Sequence, residues 1–164
     1  MNNKTTRPGF TLIETLLYIV IFSIVIMVIV EVGIFLAVES QQTMMREQLT
    51  SEASTAFSEV MRTIQTGDNF DSMNSTLNQT LSVIQFTDKT GDTVRFGVDN
   101  QVLDEIVNGG SPISLHSSAI VATEFRVERL NPTNNVPLFK VTAIFSDVFN
   151  QTFSLSSSVN FIHD

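Results

Sequence analysis

Arg7-Pro8-Gly9-Phe10-Thr11-Leu12-Ile13-Glu14 leads into an apolar run, Leu16–Val30, broken only by Ser23. Glu31 ends the run, and Val32–Val38 resumes it around Gly33. A membrane-spanning helix needs roughly 20 predominantly apolar residues. Phe10–Val30 supplies 21 if Glu14 sits near one edge. At about 1.5 Å per residue that is about 30 Å, close to the hydrocarbon thickness. An acid at the centre of a span costs roughly 2.5–3.5 kcal/mol by insertion scales, so Glu14 is a candidate functional residue. Glu31 falls at the opposite interface, where its cost is small. Lys4 and Arg7 precede the span, and the positive-inside bias predicts a cytoplasmic N-terminus.

Two rival readings explain less. A secretory signal peptide has a shorter apolar core followed by a small-residue cut site. Here the core is longer, and Leu36-Ala37-Val38-Glu39-Ser40 is a poor site. An unprocessed single-pass anchor displaying a small β-rich binding domain accounts for hydrophobicity and topology. It leaves Gly9-Phe10 and Glu14 as accidents.

Gly9-Phe10-Thr11-Leu12-Ile13-Glu14, followed by an apolar helix, resembles the processing site of type IV prepilins and type II secretion pseudopilins. The resemblance implies cleavage between Gly9 and Phe10 by a prepilin peptidase, which then methylates the new amino group of Phe10. It also implies that Glu14 guides assembly into a filament. The implied partners are that peptidase and N-methyltransferase, other pilin or pseudopilin subunits, an inner-membrane assembly platform and the bilayer. A buried carboxylate needs a partner, and no Lys or Arg occurs from Phe10 to Met45. The freed amine of Phe10 is the available cation. Such a chain is a substrate of an enzyme and not itself an enzyme.

Working outward, Glu39–Gln65 reads as an amphipathic helix. Met45, Leu49, Ala53, Ala56, Phe57, Val60, Met61 and Ile64 recur with a 3.6-residue period. No proline interrupts Phe10–Thr66, and Gly67-Asp68 is a stop signal. The expectation is one helix over Phe10–Thr66, about 85 Å at the usual rise. Met44, Met45 and Met61 are read as core filling rather than an adaptable groove. Gly33 is read as a small residue that could also permit local bending.

Beyond Gly67 the period changes to that of strands. Asp68–Thr80 reads as a loop. Strands are expected at Leu81–Thr87, Thr93–Val98, Val102–Val107, Ile120–Arg129, Leu138–Phe145 and Thr152–Ile162. Asp88–Asp92 is a hairpin turn, and Asn108–Pro112 and Asn131–Pro137 are breaks. In Ile120–Arg129 strict alternation puts Val121, Thr123, Phe125, Val127 and Arg129 on one face. The fold class is α+β: a long N-terminal helix packed on a C-terminal antiparallel β-sheet. The organisation is a leader at 1–9, a transmembrane and filament-core helix at 10–38, its amphipathic continuation at 39–66 and a β-rich head at 67–164. Leu81–Phe86, Gly91–Phe96, Val121–Phe125 and Phe153–Phe161 also resemble the J-type minor pseudopilins and W-type minor pilins.

The chain has 164 residues, no cysteine and a net charge of −8, and loss of Lys4 and Arg7 with residues 1–9 would take it to −10. An acidic surface argues against direct nucleic-acid binding. With no cysteine, an exported head has no disulfide, a departure from the many Gram-negative pilins that carry one. No transition-metal site and no cofactor are expected. Calcium is the one ion that the family's major pseudopilins suggest. Asp68-Asn69-Phe70-Asp71 and Asp88–Asp92 cluster oxygen ligands, but neither fits the EF-hand spacing. His116 and His163 are the only histidines, one in a serine-rich loop and one beside the C-terminus. Asn74, Asn78 and Asn150 begin N-x-[ST] triplets, a short and common pattern.

Overall fold

The computed structural model describes residues 11–130 and 138–160. The described chain divides after Thr43 into two compact units. Helix α1, Leu12–Gln65, contributes to both. The first unit is α1 up to Thr43; it is exposed, and from Leu16 to Val38 its side chains are apolar on every face save for Ser23 and Glu31. Hydroxyl side chains here bond back to the helix's own backbone: the Ser23 hydroxyl donates to the Ile19 carbonyl at 2.8 Å and the Thr43 hydroxyl to that of Glu39 at 3.0 Å. A hydroxyl satisfied in this way carries little burden in an apolar medium. The helix is long and apolar enough to cross a membrane.

The second unit starts at Met44. Its part of α1 buries Leu49, Ala53, Ala56, Phe57, Val60 and Ile64, the stripe expected from the helical period. Met61 is half-buried against the same core. After Thr66 the described residues form eight strands: β1 (Gly67–Phe70), β2 (Ile84–Asp88), β3 (Thr93–Asp99), β4 (Val102–Val107), β5 (Ile113–Ser114), β6 (Ile120–Leu130), β7 (Leu138–Asp147) and β8 (Thr152–Asn160). The fold is α+β, with every strand pair antiparallel. The strands form two sheets rather than the single one expected: five strands in the order β1-β2-β3-β4-β5, and three in the order β6-β7-β8. Both contribute to one core with the α1 stripe, through Phe86 and Phe96 of the first sheet and Phe125, Phe139 and Phe145 of the second.

The division into two sheets explains why the strand expected from Leu81 begins only at Ile84. Residues 81–83 cross between the sheets. The Ser82 N–H donates to the Phe125 carbonyl at 2.7 Å, and Val83 bridges Thr76. A segment held by Phe125 of β6 and by Thr76, which lies outside the named strands, cannot continue the β2–β3 ladder. β1 and β5 were not expected. β1 lies in the Asn- and Asp-rich stretch read as loop, and β5 is two residues long after Pro112. Strand propensity says little about either, because pairing to a neighbour decides them.

The alternation expected in β6 holds only from Phe125. The register against β7 shifts between Ala122 and Glu124. Such a bulge adds one residue and reverses the parity. Ile120 and Ala122 are therefore buried with Phe125 and Val127, while Val121 and Thr123 leave the core face. The hairpins have local causes. Asn100 (φ 48°) and Gln101 (φ 67°) are both left-handed, as a two-residue type I′ turn requires. Gly91, at φ 90°, closes β2 to β3 where an L side chain would be strained. The expected loop Asn131–Pro137 and the end of the last strand, residues 161–162, lie outside the described residues.

Candidate functional site

Gly9 and Phe10, the expected cleavage and methylation positions, lie outside the described residues, as does His163. Glu14 is described. It stands in the first turn of α1, exposed, with Leu12 and Ile13 before it also exposed. Thr11 caps this turn. Its carbonyl accepts the N–H of Glu14 at 3.1 Å and of Thr15 at 3.2 Å, and its hydroxyl accepts the Glu14 N–H at 3.4 Å. Thr11-x-x-Glu14 has the spacing of a capping box, in which a Ser or Thr side chain serves an amide three residues on. A carboxylate in a first turn also complements the positive end of the helix dipole. This turn thus has a side-chain cap at Thr11 that the apolar pattern alone did not disclose. The signal was present: a Thr followed by Glu three residues later, ahead of an apolar run.

Along α1 no basic residue accompanies Glu14 before Arg46. Glu31 is likewise exposed in the helix, one turn beyond Met27 and Val28, and Gly33 has open space where a Cβ would stand. Chemically, this end of the chain offers a carboxylate on an apolar helical surface.

Among its described residues the head offers no rival of this kind. His116 is buried edge-on to Phe145, 5.6 Å between ring centroids. Its Nε2 accepts the Leu103 N–H at 3.0 Å, so that nitrogen carries no proton. Its Nδ1 then carries the proton and donates to the Ser117 carbonyl at 2.9 Å. Both nitrogens are used by the backbone, and among the described residues no hydroxyl bonds to either. The two oxygen clusters weighed for calcium are filled by donors. Asp71 accepts from the Asn74 side chain at 2.7 Å, from the backbone of Met73 and Asn74, and from Gln85. Those bonds, the Asn74 amide first, hold its carboxyl below the usual aspartate range. Asp88 accepts from the Thr90 hydroxyl and from the amides of Thr90 and Asp92, which likewise keeps it low. Both act as turn caps. Among the described residues no three His, Asp or Glu side chains gather as a metal-ligating group.

Sequence reasoning also missed a polar latch inside the head. Glu52 on α1 binds the loop that carries His116, through Ser117, and takes a further hydrogen bond from Gln48. Nothing in the helical period marks Glu52 off from the other polar positions. Its partner lies 65 residues away.

No curated protein and no solved structure matches the chain. Residues 5–30 match the family model described as the prokaryotic N-terminal methylation motif, and the chain therefore carries the type IV pilin and pseudopilin signature over the segment that contains Gly9, Phe10 and Glu14.

Proposed function

We propose that this protein is a structural subunit of a type IV filament, either a pilus or a type II secretion pseudopilus. Prepilin peptidase cuts it after Gly9, the Phe10 amine is methylated, and α1 carries the subunit into the filament. The carrying observation is the methylation motif at residues 5–30, joined without interruption to an exposed apolar helix. Lys4 and Arg7 keep the N-terminus cytoplasmic before cleavage, and the head is extracytoplasmic. The assembly platform of the inner membrane then receives the subunit.

In this reading Glu14 is the assembly residue. The cut removes the basic leader and creates an ammonium group at Phe10. Glu14 of one subunit pairs with that amine on a neighbour, which sets the axial register of each incoming helix. The absence of Lys and Arg between Phe10 and Met45 supports this pairing. The chain acts as a minor subunit; the support is the head's resemblance to J-type pseudopilins and W-type minor pilins. The role is structural, with no cofactor.

Coexpression of the full chain with a prepilin peptidase tests the proposal. Intact-mass and N-terminal analysis are expected to show loss of residues 1–9 and one added methyl group on Phe10. An unchanged N-terminus would instead make the chain a single-pass membrane protein displaying a β-rich domain.

A further inference from the structure

The exposed backbone edges of the head are unequal. β6 has its outer edge covered: Phe125 donates to the Thr80 carbonyl at 2.9 Å, Asn78 to that of Val127 at 2.9 Å, and Ala122 to that of Gln101 at 2.8 Å. β1 is four residues long with a register shift between Gly67 and Asn69. β5 has two residues and follows Pro112. These are the usual devices that keep an edge from pairing with another chain: cover, irregularity, shortness and proline. β8 has none of them. It is nine residues long, the last strand of its sheet, and in unbroken register with β7. It contains no Pro, Gly or charged residue.

The direction of its backbone groups follows from the β7–β8 turn. There the Asp147 N–H donates to the Gln151 carbonyl at 3.1 Å and the Asn150 N–H to that of Asp147 at 3.1 Å. Antiparallel pairs alternate between those that exchange hydrogen bonds and those that do not. Counting from Asp147, the partners of Ser146, Ile144, Thr142, Lys140 and Leu138 are the non-exchanging ones. Thr152, Ser154, Ser156, Ser158 and Asn160 therefore turn their N–H and C=O groups away from β7. The 3.1 Å contact between the Thr142 and Ser156 hydroxyls agrees, since non-exchanging pairs approach more closely. Among the described residues no other segment pairs with this edge.

We propose that β8 pairs antiparallel with β8 of a second copy of this chain, joining two heads in one six-stranded sheet. Two observations select a second copy. The chain carries −8, yet from Val148 to Ile162 there is no Asp, Glu, Lys, Arg or His. This is a segment through which two acidic copies approach without opposing like charges. The edge is also self-complementary. Centred on Ser156, the pairing sets Thr152 opposite Asn160 and Ser154 opposite Ser158 on the polar face. It sets Phe153 opposite Val159 on the other. Main-chain bonds then supply affinity, as in other strand-addition complexes.

The test uses the full, unprocessed chain in detergent micelles, so it does not depend on the cut at Gly9. The sequence has no cysteine, so one introduced thiol reports one contact. Ser156→Cys places two thiols across the symmetry axis, with Cα atoms about 5.5 Å apart, within disulfide range. It is expected to form a covalent dimer severalfold faster than Ser72→Cys, which puts a thiol in an exposed loop. Ser156→Lys and Ser158→Lys, both at exposed positions, are expected to abolish the dimer with an unchanged circular dichroism spectrum. Cross-linking of Ser156→Cys no faster than that of Ser72→Cys overturns the proposal. So does a dimer that persists in both lysine variants, which would assign association to α1.

Discussion

The Glu52 carboxylate joins α1 to the loop before β6 by accepting the Ser117 backbone N–H at 2.8 Å and the Ser117 hydroxyl at 3.0 Å. Burial alone would raise its pKa. The bonds from Gln48 and Ser117 outweigh burial and hold the carboxyl below its usual value of 4.5. A group whose folded pKa is depressed contributes stability above its unfolded pKa and loses it as pH falls through the folded one. Glu52→Ala is therefore expected to destabilise the head by about 1 kcal/mol near neutral pH. The loss is expected to vanish well below pH 4.5. Urea melts of the full chain in detergent, at neutral and acid pH, measure this. A deficit that does not change with pH would remove the ionised carboxylate from the account.

Glu105 predicts the opposite sign. It lies on the core-facing side of β4, where burial raises its pKa, the charge of Glu59 adds to that, and Arg62 opposes. A carboxyl with a raised folded pKa favours the folded state most when protonated, below the unfolded pKa, and that stability is lost as pH rises through the folded pKa. Glu105→Gln is expected to raise the thermal midpoint at pH 7 and to leave it nearly unchanged under acid conditions. Equal midpoints at pH 7 would contradict the assignment.

The helical stripe predicts a contrast between the two units. Ile64 is fully buried in the head core, whereas Ile24 is exposed on α1. Ile64→Ala removes packed methylenes and is expected to cost about 2–5 kcal/mol in head stability. Ile24→Ala is expected to leave head unfolding where it was. Amide hydrogen exchange in detergent reads the head, because protection of its core strands reports head unfolding separately from α1. A comparable loss from Ile24→Ala would mean that the apolar end supports the head core.

How much of this was legible in the residues depends on the range of the interaction that decides each piece. The stripe at Leu49–Ile64 follows from local period, and the structure buries most of it. The six expected strands follow from alternation and turn residues, and all are present. The parity of β6 failed at Thr123, because a bulge is set by the partner strand and leaves no mark in a run of mixed side chains. The division into two sheets failed for the same reason, since residues 81–83 are placed by bonds to Phe125 and Thr76. At the N-terminus, the carboxylate in the apolar run was visible from composition. The Thr11 cap was equally local and was overlooked because the membrane pattern explained the same residues.

The β3–β4 turn offers a stabilising change. Gln101 holds φ 67° without being Gly or Asn, and its side chain is exposed. Left-handed backbone costs a side-chain-bearing residue roughly 1–2 kcal/mol. Asn-Gly is the favoured pair for a type I′ turn. Gln101→Gly keeps the carbonyl that accepts the Ala122 N–H. It is expected to gain about 0.5–1 kcal/mol after the extra freedom of glycine in the unfolded chain is counted. A loss of stability on denaturant titration would show that the Gln101 side chain contributes more than its backbone costs.

Glu14 is at once an acid on an apolar surface and the third residue after a cap, and two substitutions separate these roles. Thr11→Ala removes the hydroxyl that accepts the Glu14 N–H, a loss of about 1 kcal/mol at a helix start. If Glu14 serves mainly to begin the helix, Thr11→Ala and Glu14→Ala should impair assembly alike. Glu14→Gln keeps the length and hydrogen-bonding capacity of the side chain, and Gln is accepted at this position of a capping box. It loses only the charge. The proposed pairing with a neighbour's Phe10 amine requires that charge. Glu14→Gln and Glu14→Ala are therefore expected to be cut after Gly9 at the normal rate and to be lost from sheared filaments. Thr11→Ala is expected to enter them. Incorporation of Glu14→Gln at the level of the unaltered chain would leave the cap as the function of Glu14 and sink the pairing.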